Sequence, residues 1–138
     1  IASGGALVTP HLAEKTVLGD KVPALHYKNR GQVIKSEVAA QVRQMLASVV
    51  VNGHGKRARV EGIAVGGKTG TAQVPNPAGG YYDDRHIGTF VGMFPIDQPK
   101  FVMAVRLDNP KTVKFAESSA APTFGKIAEW MANYYQLR

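Results

Sequence analysis

The stretch Gly66-Gly67-Lys68-Thr69-Gly70-Thr71-Ala72-Gln73 constrains this chain more than any other. Three glycines in five residues each cost a helix about 1 kcal/mol, and Pro75 and Pro77 block helical continuation beyond them. Ile63-Ala64-Val65 leads in as an apolar run. The segment Ile63 to Val74 therefore reads as a β-strand, with Thr69 and Thr71 on the face opposite Lys68 and Gly70. Glycines leave room for a substrate backbone to lie along the strand edge. Hydroxyls and an ammonium beside that edge suit a peptide carboxylate.

The same letters also fit a phosphate loop, since Gly62 stands at the spacing of Gly-x-x-x-x-Gly-Lys-Ser/Thr. Context argues against it: Ile63-Ala64-Val65 is apolar where a cradle should be, and no helix can follow Lys68.

Around this strand the chain reads as one α+β unit. Val38, Val42, Met45, Leu46, Val49 and Val50 recur at helical spacing, with Ser36 as N-cap and Asn52-Gly53 as terminator. Gly88 to Ile96 and Phe101 to Leu107 are strand-like, and Asp97-Gln98-Pro99-Lys100 has the composition of a hairpin turn. Pro75 to Ile87, with Gly79 and Gly80, reads as a flexible loop. Phe124, Ile127, Ala128, Met131 and Tyr135 mark a closing helix behind Ser119 and Pro122. The opening, Ile1 to Leu25, reads as loop with extended stretches at Ala6 to Thr9 and Lys15 to Leu18. The expected architecture is an antiparallel sheet flanked by helices. Its three strands make a thin core, so further elements are expected upstream of Ile1.

Composition excludes several classes. With 138 residues and 44% hydrophobic content the chain supports one core. No apolar run approaches the roughly 20 residues of a membrane span. There is no cysteine, hence no disulfide, thiolate nucleophile or Cys-based metal site. The net charge of +7 favours an anionic partner. However, the basic residues are scattered, in small groups at Lys28, Arg30, Lys35 and at Lys56, Arg57, Arg59, without a nucleic-acid motif, so a solvated basic surface is expected. His11, His26, His54 and His86 do not pair at metal-ligand spacing and are expected in surface or hydrogen-bonded roles, with no metal or cofactor. Asp83-Asp84 reads as a solvated loop tip. Trp130, Tyr134 and Tyr135 are expected to pack the closing helix against the sheet.

Three separated motifs occur in order. These are Gly67-Lys68-Thr69-Gly70-Thr71-Ala72-Gln73, then Gly88-Thr89-Phe90-Val91-Gly92-Met93-Phe94-Pro95, then Phe115-Ala116-Glu117-Ser118-Ser119-Ala120-Ala121-Pro122-Thr123-Phe124. Together they resemble the end of the transpeptidase domain of a class B penicillin-binding protein, a superfamily that carries Lys-Thr-Gly beside Ser-x-x-Lys and Ser-x-Asn elements. Gly4-Gly5-Ala6-Leu7-Val8-Thr9-Pro10-His11 and Gly55-Lys56-Arg57-Ala58 extend the resemblance over nearly the whole of residues 1–138.

The resemblance implies a peptidoglycan D,D-transpeptidase that cross-links stem peptides through a serine acyl-enzyme and is acylated by β-lactams. Gly67, Thr69, Gly70, Thr71 and Ala72 would bind substrate. Lys68 would raise the positive potential and assist proton transfer, and the Thr71 N–H would form half of an oxyanion hole. Ser3, Ser36, Ser48, Ser118 and Ser119 have neither Lys three positions on nor Asn two positions on. The nucleophile is therefore expected in an upstream part of the same domain, and this chain alone is expected to be inactive.

Other implied partners are D-Ala-D-Ala stem peptides, β-lactams and a SEDS-type glycosyltransferase, with the parent membrane-anchored and its catalytic domain extracytoplasmic. Phe90-Val91-Gly92-Met93 is closer to the division type than to the elongation type. A serine β-lactamase or D,D-carboxypeptidase shares the Lys-Thr-Gly strand, but the Ala116-Glu117-Ser118 tail argues against it. A non-catalytic sensor of the same fold is the third reading. The departure from the family lies in Pro75 to His86, a segment placed at the cleft rim, where Tyr81 and Tyr82 either touch substrate or belong to a mobile solvent loop.

Overall fold

The structure, a computed structural model, describes residues 1–13, 17 and 30–137. Helix α1 spans Ser36–Val51, strands β1, β2 and β3 span Gly66–Pro75, Tyr81–Phe94 and Phe101–Asp108, and helix α2 spans Ala120–Tyr134. Short 3₁₀ turns at Lys56–Ala58 and Ala116–Ser118 precede the sheet and α2. The sheet order is β1-β2-β3 with both pairs antiparallel, as the sequence predicts.

Register places the two faces of the sheet against different helices. Thr69 lies opposite Phe90 and Thr71 opposite Gly88, so these residues share a face with Gly67, Gly92 and Val105. On that face Phe90 and Phe94 meet Phe124 of α2 edge-on, with ring centroids 4.7 Å and 5.9 Å away. All three rings are fully buried. The other face carries Gly66, Lys68, Gly70 and Thr89, and Gly66 backs onto Ala47 of α1 and Ile96. β3 alternates accordingly: Val105 is buried and Phe101, Met103 and Leu107 are half-buried, whereas Val102, Ala104 and Arg106 are exposed.

Helix α1 starts at the expected cap residue itself, so its cap lies one residue earlier. The Ala39 N–H donates to Lys35 C=O at 3.0 Å, which makes Lys35 the N-cap and Ser36 the first helical residue. Its end agrees with expectation, the Asn52 N–H donating to Ser48 C=O at 2.7 Å. Arg59 returns to this end, donating from Nε to Val50 C=O at 3.2 Å and from Nη2 to Val51 C=O. A guanidinium there satisfies orphan carbonyls and complements the helix dipole. One of the scattered cations is thus structural.

The expected flexible loop from Pro75 to Ile87 is mostly strand. β2 begins at Tyr81, and pairing runs from Gly66–Met93 to Gln73–His86, then Pro75–Tyr81. The connection shrinks to residues 76–80, closed by Asn76 N–H to Gly80 C=O at 3.0 Å and Gly79 N–H to Asn76 C=O at 2.9 Å. Gly79 and Gly80 take φ of +106° and +70°, which a side chain resists. The prolines sit at the strand end and in the turn, so their missing donors interrupt no ladder. Asp83 and Asp84 consequently lie on β2 and not at a loop tip.

The aromatic end of α2 also departs from expectation. Trp130 and Tyr134 stack on each other at 5.3 Å and are 63% and 67% exposed; only Tyr135 reaches the sheet, 4.9 Å from Phe101. The helix turns its small residues Gly125, Ala128 and Ala132 inward instead. In the opening segment Ala6 bridges Gln32, and the Leu7 N–H donates to Gly31 C=O at 2.9 Å. The expected stretch Lys15 to Leu18 lies, apart from Val17, outside the described residues, as do His26 and Lys28.

Phe124→Ala in the complete domain should cost about 3–5 kcal/mol, the scale of emptying a buried aromatic site. Trp130→Ala should cost under about 1 kcal/mol, as for an exposed ring. Urea denaturation of both variants checks the contrast.

Candidate functional site

β1 is an edge strand, and its two threonines open onto the α2 side. Thr69, Thr71, His54, Phe115 and Glu117 line an open cavity of about 270 Å³. Three segments far apart in sequence meet here: the turn after α1, the edge strand, and the approach to α2. The Phe90–Phe124 contact brings the last two together.

Thr71 is held in a defined orientation. The Ala116 N–H donates to its Oγ1 at 3.2 Å, so one lone pair is occupied and the hydroxyl hydrogen is left to donate elsewhere. The same 3₁₀ turn is pinned from the other side by His54, whose Nδ1 lies 2.6 Å from Glu117 Oε2. Behind it, Ser119 Oγ donates to Phe115 C=O at 3.0 Å.

Lys68 projects from the opposite face of β1, and its ammonium turns along the strand to donate to Thr69 C=O at 2.8 Å and Thr69 Oγ1 at 3.3 Å. A cation and two hydroxyls therefore converge on one edge, with Lys68 reaching the cavity through Thr69. Gly70 and Ala72 share the Lys68 face. Tyr81 and Tyr82 stand at the far end of the β1–β2 ribbon, away from the cavity lining, and Tyr82 carries the Arg85 guanidinium 4.1 Å above its ring.

The glycines of the strand have a role that the sequence reading missed. A Cβ on Gly67 would stand 2.6 Å from two Phe90 ring carbons and 2.7 Å from Val91 C=O. One on Gly70 would meet Thr89 Oγ1 at 2.6 Å. That hydroxyl already donates to Gly70 C=O at 3.1 Å. The room beside these glycines is filled by the protein's own β2 side chains, not left open to a ligand.

His54, Phe115 and Glu117 were not singled out from sequence. The sequence marks His54 only as one of four histidines outside metal-ligand spacing, and Glu117 as part of a motif tail. Their separation of 63 positions leaves no local signal.

An antiparallel edge strand bearing one cation and two hydroxyls, with a helix on each face of its sheet, is the architecture expected of a penicillin-binding transpeptidase domain. The family model described as "Penicillin binding protein transpeptidase domain" matches residues 1–129. Stage V sporulation protein D of Bacillus subtilis is 43% identical over 131 residues, 91% of this chain and 20% of that protein. Penicillin-binding protein PbpB of Mycolicibacterium smegmatis is 39% identical over 99% of this chain and 23% of its own length. The crystal structure of penicillin binding protein 3 from Mycobacterium tuberculosis superposes with a TM-score of 0.87 at 35% identity, covering 98% of this chain and 33% of that one. The chain belongs to the penicillin-binding-protein transpeptidase family, as its motifs imply, and its fold is the one expected. It spans about a fifth of the length of these curated relatives.

If Gly70 is a glycine because of Thr89, Gly70→Ala should lower stability by about 1–3 kcal/mol, as overpacking does. Combining it with Thr89→Ala should recover most of the loss. Thermal denaturation of the single and double variants in the complete domain decides it; no recovery would return the glycine to the ligand side.

Proposed function

We propose that this chain supplies the Lys-Thr-Gly wall of the active-site cleft of a peptidoglycan D,D-transpeptidase, which forms a serine acyl-enzyme on a D-alanyl-D-alanine stem peptide and is acylated by β-lactams. One observation carries the reading. Thr69 and Thr71 open onto one cavity at a sheet edge, and the Ala116 N–H fills an acceptor site on Thr71 so that its hydroxyl donates outward. Outward-facing hydroxyl donors beside an ammonium suit a substrate carboxylate. The edge of β1 leaves room for a peptide to pair alongside. The Mycobacterium tuberculosis relative has been solved in complexes with aztreonam and ampicillin, at 34% identity to this chain in each case, which supports a β-lactam ligand here.

In this reading Gly67, Gly70 and Ala72 shape the strand. Thr69 and Thr71 receive the carboxylate, and the Thr71 N–H supports the developing oxyanion. Lys68 releases Thr69 when the cleft is complete and assists proton transfer to and from the nucleophile. Tyr81 and Tyr82 stand at the ribbon end, where only a long ligand reaches them. The nucleophile belongs to a Ser-x-x-Lys element elsewhere in the parent domain, since none of the five serines here has that spacing. The parent is membrane-anchored with this domain extracytoplasmic; among the described residues no helix is long and apolar enough to cross a membrane.

Lys68→Ala in the complete domain should slow acylation by a penicillin at least about a hundredfold, the scale of one acid-base participant. Unchanged stopped-flow acylation in a folded variant removes Lys68 from the mechanism. The 138-residue chain alone should show no covalent band with a fluorescent penicillin on a denaturing gel, whereas the complete domain should label. A heat-sensitive stoichiometric band on the isolated chain would mean that one of its own serines is the nucleophile.

A further inference from the structure

The His54–Glu117 pair lies outside the motif chemistry, yet it forms a wall of the same cavity as Thr69 and Thr71. On its far side a second open cavity is lined by Asn52, Gly53, Lys56 and Arg57 together with the pair itself. Nδ1 stands 2.6 Å from Oε2, and since a carboxylate only accepts, the imidazole donates from Nδ1. His54 is 82% exposed in its side chain and Glu117 41%, so the contact adds little to global stability.

What the contact does is local. Glu117 is the middle residue of the 3₁₀ turn Ala116–Ser118, and the first N–H of that turn is the donor that orients the Thr71 hydroxyl. Three residues of 3₁₀ helix are too short to be rigid by themselves. Two anchors hold this turn: on its inner side Ala116 is buried against Gly88, and on its outer side Glu117 is tied to the turn following α1. Loss of the outer anchor lets the turn rock about the inner one and loosens the Ala116 N–H from Thr71 Oγ1.

We propose that His54 and Glu117 are positioning residues for carboxylate recognition, acting through the Ala116 N–H on the Thr71 hydroxyl. The inference rests on the carboxylate role of Thr71 proposed above, and it adds a specificity device in which His54 acts on Glu117, 63 positions along the chain. A penicillin that keeps its carboxylate should feel the pair, and its methyl ester should feel it less.

The test measures acylation rate constants of the complete domain for a penicillin and for its methyl ester, and takes their ratio as the acid preference. His54→Ala and Glu117→Gln should each lower that preference about three- to tenfold, the scale of one hydrogen bond put out of orientation. His54→Asn, which keeps a donor near the Nδ1 position, should restore most of it. In a Thr71→Val background neither change should lower the preference further. An equal fall for acid and ester, or a further fall in the Thr71→Val background, overturns the positioning role. If Thr71→Val itself leaves the acid preference untouched, the carboxylate reading of the site falls, and this inference falls with it. If Thr71→Val lowers it while His54→Ala does not, only the positioning inference is lost.

Discussion

The contact on which the rest depends is the seating of Phe90 and Phe94 against Phe124. Phe90 stands on the central strand directly opposite Thr69, and its ring fills the space left by Gly67 and Gly92. Burying three phenylalanines in edge-on contact supplies much of the apolar driving force available to a three-stranded sheet. The same contact fixes α2 over the sheet at one height. Because α2 follows directly on the Ala116–Ser118 turn, that height also decides which N–H reaches Thr71. Packing and site geometry are therefore one arrangement.

Within that frame the site is assembled from weak parts. No described group of the cavity is deeply buried and charged, and the His54–Glu117 contact is solvent-facing. What gives the cavity chemical character is the order of donors along it: the Lys68 ammonium on Thr69, the Ala116 N–H on Thr71, and the His54 imidazole on Glu117. Each hydroxyl has one side committed to the protein and the other open. In the proposed reading, the Ala116 N–H on Thr71 leaves that hydroxyl oriented before a carboxylate arrives.

The edge of β1 and the exposed α1 face belong to the same account. Met45 and Val38 of α1 are 65% and 43% exposed although they lie on its apolar side. Only Ala39 and Val50 of that helix are buried. The relatives are several times longer than this chain.

The order of elements was legible because the signals were local: helical spacing from Val38 to Val50 and in α2, glycines and prolines that forbid a helix around Lys68, and turn-forming residues at Asp97 to Lys100, although the connection itself runs over residues 95–100 and β2 ends at Phe94, before the expected Ile96. The Lys-Thr-Gly-Thr residues were legible for the same reason, with Thr69 and Thr71 on one face by the two-residue period of a strand. Long-range pairing was not legible. Turn-forming residues between Pro75 and Gly80 hid the fact that β2 extends back to Tyr81, since ladder bonds to β1 outweigh the local preference for a loop. Whether a glycine yields room to a ligand or to a neighbouring ring depends on which residue stands opposite, and that is a matter of register. The meeting of His54 with Glu117, and of Ala116 with Thr71, depends on where the Phe90–Phe124 contact sets the second helix. The sequence determined which groups the chain offers; the tertiary structure alone decided which of them share a cavity, because contacts between residues distant in the chain exist only once the core has closed.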